Sequence, residues 1–496
     1  MRFSFLALSF SAGLLCWSPA APAQEAKALP DAALKALQDE LAALRQELQQ
    51  RDQRLLQLEA RMSQFGGDRL AVPPLASPTG SLSEISSQVS NERALTLGGG
   101  SAHLVDVSFD ILTVGGGSTA NQEELAILQG GGHDPKARGF TLQQAELSLA
   151  GAVDPYFNAE AHIVFTNEVV ELEEAYALTT SLPYGLQVKA GYFLTEFGKL
   201  NPTHPHAWAW TDQPVINSRL FGGDGMRGTG LRLSWLTPLD WNSEFLWSVQ
   251  QPTGETMPSF LGEGLAHEHG DEGDGEEHAE TIGGRPLVER EVRSLRDLVW
   301  LQRWVNGGDL SETVSGQFGL SMLYGPNNSG KSGDTLIYGA DLTLKWRPTK
   351  HQRGWPFVTW QSEIMQRKYK ANGFFDEEDP ADPSDDVALP ATTLKDWGFY
   401  SQVLYGFHPG WSAGLRYEYA SGSGDSVHEE APVARGTDGL RDDRTRLAPV
   451  LIWQPTEFSR LRLQYNYDRA DHLDDPAHSL WLGMEILFGS HPAHGY

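Results

Sequence analysis

The chain has 496 residues, and only 40% of them are hydrophobic, yet it carries 15 Trp, 14 Tyr and 21 Phe beside 52 Gly. Many aromatics and glycines without long apolar runs suit a large β protein better than a helical or α/β one. With Lys+Arg 38 against Asp+Glu 65 the formal net charge is -27, which repels nucleic acid and attracts cations, so no nucleic-acid partner is expected.

The first element is an export signal. Arg2 precedes an apolar stretch at 3–17, and Ala21-Pro22-Ala23 supplies small residues for cleavage after Ala23, which defines a signal peptide over 1–23. The one cysteine, Cys16, lies inside it, and bulky Leu15 argues against a lipoprotein site. The mature chain therefore offers no disulfide, thiolate ligand or cysteine nucleophile. No later apolar run approaches the roughly 18 residues of a transmembrane helix.

Segment 24–66 reads as a coiled coil. Leu34, Leu41, Leu48, Leu55 and Met62 fall on one seam position, and Leu37, Leu44, Leu58 and Phe65 on the other, with Arg51 the single violation. Sustained heptads among good helix formers specify a left-handed supercoil of two or three strands, on the order of 48 Å long. A single amphipathic helix lying on a surface is the alternative. Gly66-Gly67 closes the helix, and Pro73, Pro74, Pro78 and Gly80 mark a linker over 67–99.

From 100 to 496 the period changes to two. Val105, Val107, Phe109 and Ile111 oppose Asp106, Ser108 and Asp110; Phe157, Ala159, Ala161 and Ile163 oppose Asn158, Glu160 and His162; the pattern persists to Leu482, Met484, Ile486 and Phe488. A sandwich would alternate in the same way, so the connections decide. Short turns are predicted at 153–155, 182–185, 237–241, 306–310, 349–354, 407–410 and 454–457. Between them lie connections at 114–138, 167–169, 194–228, 252–296, 325–333, 371–391, 421–442 and 469–478, all but the second long. Alternation of short and long connections is the signature of an outer-membrane barrel, here an all-β, antiparallel, transmembrane β-barrel of about 16 strands. Trp235, Trp247, Trp346, Trp360, Trp397, Trp411 and Trp453 fall on its apolar face, where lipid-interface girdles need aromatics. At that strand number side chains do not fill the interior, and a water-filled lumen is expected. Both ends, and the coiled coil, then lie in the periplasm of a Gram-negative cell, with the long loops extracellular.

The signal peptide, heptad helix, barrel and the stretch Gly191-Tyr192-Phe193-Leu194-Thr195-Glu196-Phe197-Gly198 resemble the phosphate-selective porin type, in which a G-x-F-x-x-P-F stretch recurs. Thr195-Glu196 here replaces the proline-containing pair. The resemblance implies a homotrimer and a third loop, 194–228, that folds inward to narrow the lumen. Phosphate selectivity does not follow, because it needs rows of Lys and Arg, and the predicted lumen mixes both signs. Glu146, Glu160 and His162 stand with Arg232, Arg416, Arg460 and Arg462 as pore-lining candidates.

One loop carries metal-ligand chemistry. Residues 266–280 hold three histidines, His267, His269 and His278, with seven carboxylates and no Lys or Arg. Imidazole suits zinc, copper and nickel, and carboxylates draw a divalent cation in. His204 and His206 in the third loop join them as candidates on the same side. No required cofactor is expected, zinc being the ion the loop would bind. The acidic loop 374–387 lacks histidine and EF-hand spacing and reads as a solvated surface. No HExxH pair is present, and no enzymatic activity is expected. The functional expectation is a porin for passive diffusion of small solutes or ions, aiding divalent metal uptake. The alternative is a barrel without an open channel that anchors the envelope or binds a surface partner, the coiled coil touching the cell wall.

Overall fold

The computed structural model describes residues 96–97, 100–101, 105–167, 169–262, 281–376, 387–428, 431–433 and 435–489. The expected signal peptide, coiled coil, most of the linker and the histidine-rich segment 266–280 lie outside the described residues.

Sixteen antiparallel strands close into one barrel. In chain order they are β1 Val105–Ser118, β2 Gly139–Asp154, β3 Phe157–Phe165, β4 Val170–Thr179, β5 Leu186–Leu194, β6 Arg227–Leu236, β7 Asn242–Gln250 and β8 Val299–Ser311. There follow β9 Val314–Pro326, β10 Asp334–Trp346, β11 Phe357–Ala371, β12 Thr392–His408, β13 Trp411–Ser423, β14 Arg444–Thr456, β15 Ser459–Ala470 and β16 Ala477–Gly489. Closure is made by β16 on β1, with Phe488 opposite Phe109 and Met484 opposite Thr113. Every barrel strand thereby has two partners, and the barrel leaves no sheet edge to template aggregation.

The two-residue period sorts the side chains. Trp235, Trp247, Trp346, Trp360, Trp397 and Trp453 are between 36% and 40% exposed and so sit on the outer face. Trp235, Phe245, Trp247 and Trp304 stack there, with centroids 5.8 to 6.2 Å apart, and Trp411 faces Trp453 at 5.9 Å. Several of these rings stand at the strand ends next to short turns, as Trp346 ends β10 and Trp411 begins β13. Inward positions are polar or charged over much of the wall, including Glu146, Arg416, Arg446 and Arg462.

Short connections collect at one end and long ones at the other. Turn chemistry explains the short ones. Asp154 accepts from the backbone N–H of Tyr156 and Phe157 at 2.7 and 2.9 Å, an Asx turn. Pro409-Gly410 forms a two-residue turn in which Gly410 takes φ 78, a conformation that favours glycine. Two predicted turns move most. Strand β8 runs through 306–310, where Gly307 pairs with both Asn242 and Gln317, and the chain turns at 312–313. There Ser311 Oγ accepts from the N–H of Thr313 and Val314 at 3.3 and 3.1 Å. Asn-Gly-Gly-Asp is turn composition, but ladder pairing on both sides overrides it. The last short turn likewise falls at 457–458.

Candidate functional site

The long connection 195–226 does not project outward. Its first residues turn into the lumen, where Glu363 Oε1 on β11 accepts from the N–H of Lys199 and Leu200 at 3.0 and 2.7 Å. Farther on, Trp210 Nε1 donates to Ala448 O on β14 at 2.8 Å, and Thr211 N–H donates to Gln464 Oε1 on β15 at 2.8 Å. A short helix, α1 Val215–Phe221, follows Pro214 and ends at Gly222 with φ 82. Its Val215 N–H donates to Glu418 Oε2 on β13 at 2.7 Å. The segment therefore reaches side chains on the wall opposite its own strands. Phe197, Leu200, Ile216, Leu220 and Phe221 bury themselves against inward Val299, Leu301, Leu323, Ile337 and Met365. Fully burying such a side chain contributes about 2 kcal/mol, so the lumen has an apolar core on one side that strict inside-polar alternation does not foresee.

The basic residues predicted to line the lumen face inward, and most are engaged. Arg416 pairs with Asp212 of the loop and with Glu418, at 2.6 Å for the latter. Arg446 donates to Asp212 Oδ2 at 3.0 Å and to Asp468 Oδ1 at 2.8 Å. Arg462 Nη1 donates to the carbonyls of Trp208 and Trp210 at 3.1 and 3.2 Å. Arg460 donates to His206 O and, at 2.9 Å, to Glu485. Arg232 Nη1 donates to Ser234 Oγ and Gln187 Oε1 at 2.8 and 3.0 Å. These guanidiniums hold the loop or neighbouring carboxylates. Burial alone would raise the Asp212 carboxyl, but Arg416 and Arg446 outweigh it and hold the group down at about 2.

On the wall of β1 to β4 the chemistry changes. Histidines read separately, as pore-lining His162 and as metal candidates His204 and His206, come together: the ring centroids of His162 and His204 are 4.5 Å apart, those of His204 and His206 5.5 Å. Glu146 lies between them, its Oε1 2.9 Å from His162 Nδ1 and 3.6 Å from His204 Nδ1, its Oε2 2.9 Å from His206 Nδ1. His204 also meets Glu173 at 3.0 Å through Nδ1 and Glu174 at 2.8 Å through Nε2. Burial disfavours charge on His204, yet Glu173 and Glu146 outweigh that and hold it well above its ordinary value. Glu160 stands 3.9 Å from His162 and accepts from Tyr176 Oη at 2.6 Å.

Alternation alone points Glu173 inward and Glu174 outward. In the structure both are buried, because the pairing of β3 with β4 slips between His162, opposite Glu174, and Ile163, opposite Leu172. A bulge of this kind re-aims one side chain, and its only sequence signal is the adjacent Glu-Glu pair. The companions of the predicted metal residues on 266–280 lie outside the described residues.

A cavity of about 1420 Å³ opens along this region. Glu160, His162, His204, His206, Arg416 and Arg460 line it, and so do His351 and Gly410, which places its mouth at the short-turn end. Glu146, Arg232 and Arg462 face inward but are covered by their neighbours.

Fold and site together define a closed 16-stranded antiparallel barrel with an inward-folded loop and a charged lumen. No family model matches the chain. A protein of Aquifex aeolicus described as uncharacterized is 29% identical over 383 residues, which cover 74% of this chain and 73% of that one. Among solved structures the chain is similar to the outer membrane channel DcaP of Acinetobacter baumannii, with TM-score 0.46, 10% identity, and 78% of this chain and 97% of that one covered. It is also similar to an anion-selective porin from Comamonas acidovorans, with TM-score 0.44, 9% identity, and coverage of 78% and 100%.

Proposed function

We propose that the protein is an outer-membrane channel for passive diffusion of small solutes and ions, constricted by loop 195–226. The observation that carries this reading is the closed barrel with aromatics outside and charge inside, into which that loop folds. In lipid every backbone polar group must be paired, which a closed barrel achieves. Its strands of 9 to 17 residues meet the roughly 9–11 residues a tilted strand needs to cross the hydrocarbon. Short turns then face the periplasm and long loops the outside, with the heptad segment in the periplasm assembling a homotrimer.

Phosphate is not the solute this lumen favours, because Arg416, Arg446 and Arg460 are already committed to carboxylates. The net charge of -27 and the acid-rich wall favour cations. At the outer mouth His267, His269 and His278, among seven carboxylates, would raise the local concentration of zinc or a similar ion. The test is the zero-current reversal potential of the purified protein across a KCl gradient in a planar bilayer. A cation-selective current is expected. Verified insertion with no conductance would instead favour a barrel that anchors or binds, its lumen closed by the packing of loop 195–226.

A further inference from the structure

We propose that the lumen holds one site for a divalent transition metal, formed by His204 and His206 of the inward loop with Glu146 of β2 and Asp110 of β1. This site draws no ligand from residues 266–280. Three observations converge on it.

First, donor spacing fits. Glu146, His204 and His206 each offer a ligand atom, and these atoms lie within 4.8 Å of one another; His162, Glu174 and His204 form a second such triad. Ligand atoms around tetrahedral zinc, with bonds of 2.0–2.1 Å, stand roughly 3.3 Å apart. The separations from Glu146 to His206 and His204, 2.9 and 3.6 Å, bracket that value. An ion seated among them takes the place of the N–H···O contacts that now join the same atoms, with little movement of the rings.

Second, Asp110 is buried with 4% exposure, and neither of its carboxylate oxygens has a hydrogen-bond partner. Its Oδ2 lies 3.8 Å from His206 Nδ1. A desolvated carboxylate without a donor costs several kcal/mol unless a positive group compensates it. A cation between Asp110 and His206 supplies that compensation.

Third, the side chains in contact mix imidazole nitrogen with carboxylate oxygen, the donor set of a borderline metal. Asp110, Glu146, Glu160, Glu173 and Glu174 surround three imidazoles. Two imidazoles select a borderline metal such as Zn²⁺ over Ca²⁺ or Mg²⁺, which want oxygen alone. Entry is open, since His162, His204 and His206 all line the cavity from the short-turn end. Glu173 and Glu174 flank His204 as the partners that orient its ring, the role carboxylates take around metal-bound imidazole.

The experiment titrates the full-length, detergent-purified protein with ZnCl₂ by isothermal calorimetry, with CaCl₂ as the hard-cation control. A version lacking 266–280 and the double variant His204→Gln/His206→Gln are measured beside it, their folding checked by circular dichroism. The version without the outer loop should still bind about one Zn²⁺ per chain. The double variant should bind it at least tenfold more weakly, and Ca²⁺ should not compete. Binding that disappears with 266–280, or that survives the double substitution unchanged, overturns the site. Should the double variant not fold, Co²⁺ added to the loop-deleted protein decides: visible d–d bands of a nitrogen-ligated tetrahedral ion support the site, and their absence overturns it. Conductance without zinc is a separate readout, so a silent channel that binds zinc defeats the porin reading alone, and a conducting one that does not defeats the metal site alone.

Discussion

On the β13–β15 wall, positive side chains pair with negative ones around Asp212: Arg416 has Asp212 and Glu418, and Arg446 has Asp212 and Asp468. On the β1–β4 wall, carboxylates outnumber the imidazoles they face, and Asp110 is left without a hydrogen bond. Both walls bury charge, but they do different work. The first is a mechanical fastening, in which guanidiniums grip a loop from across the lumen. The second is an unfinished electrostatic arrangement that an ion completes. Buried pairs are costly to break and add little net stability when intact, so carboxylate–guanidinium pairing suits a tether, while imidazoles gathered with carboxylates suit a binding site.

Substituting the shared anchor separates these roles most strongly. Asp212→Asn removes the carboxylate that Arg416 and Arg446 both use, and should cost about 4 kcal/mol in urea unfolding of the detergent-bound protein. It should also raise single-channel conductance as the loop loosens. Glu146→Gln on the other wall should cost only about 2 kcal/mol, because His204 keeps Glu173 and Glu174 and His162 keeps Glu160. Its reversal potential should shift towards anions. A larger destabilisation from Glu146→Gln than from Asp212→Asn would reverse the assignment of tether and site.

Acid provides the finest discrimination. Asp212 is held at about 2, below its ordinary value, so its stabilisation is full above about pH 4 and lost as pH falls through about 2. Unfolding midpoints measured between pH 5 and 2 should fall for the wild type more steeply than for Asp212→Asn. Equal slopes would show that the carboxylate is not what fastens the loop.

Much of the barrel is legible in the chain because its outer and inner faces obey a period of two and its connections alternate in length. The tryptophans from Trp235 to Trp453 report which face is outside, and turn residues such as Pro409-Gly410 report where strands reverse. The heptad segment and the loop histidines His267, His269 and His278 are equally plain as patterns, though they fall outside the described residues. His162, His204 and His206 are visible one by one, as lumen or loop residues, but nothing in their spacing joins them. His162 and Glu146 meet across a strand pair, while His204 arrives on a loop 30 residues past Glu174. Local periodicity thus determines strands, faces and strand number, since each depends on neighbours two residues apart. The inward fold of 195–226, the slip that turns Glu174 inward and the gathering of three imidazoles around Glu146 depend on contacts between distant strands. Those contacts follow from cross-lumen charge pairing and apolar burial, which only the closed barrel brings within reach.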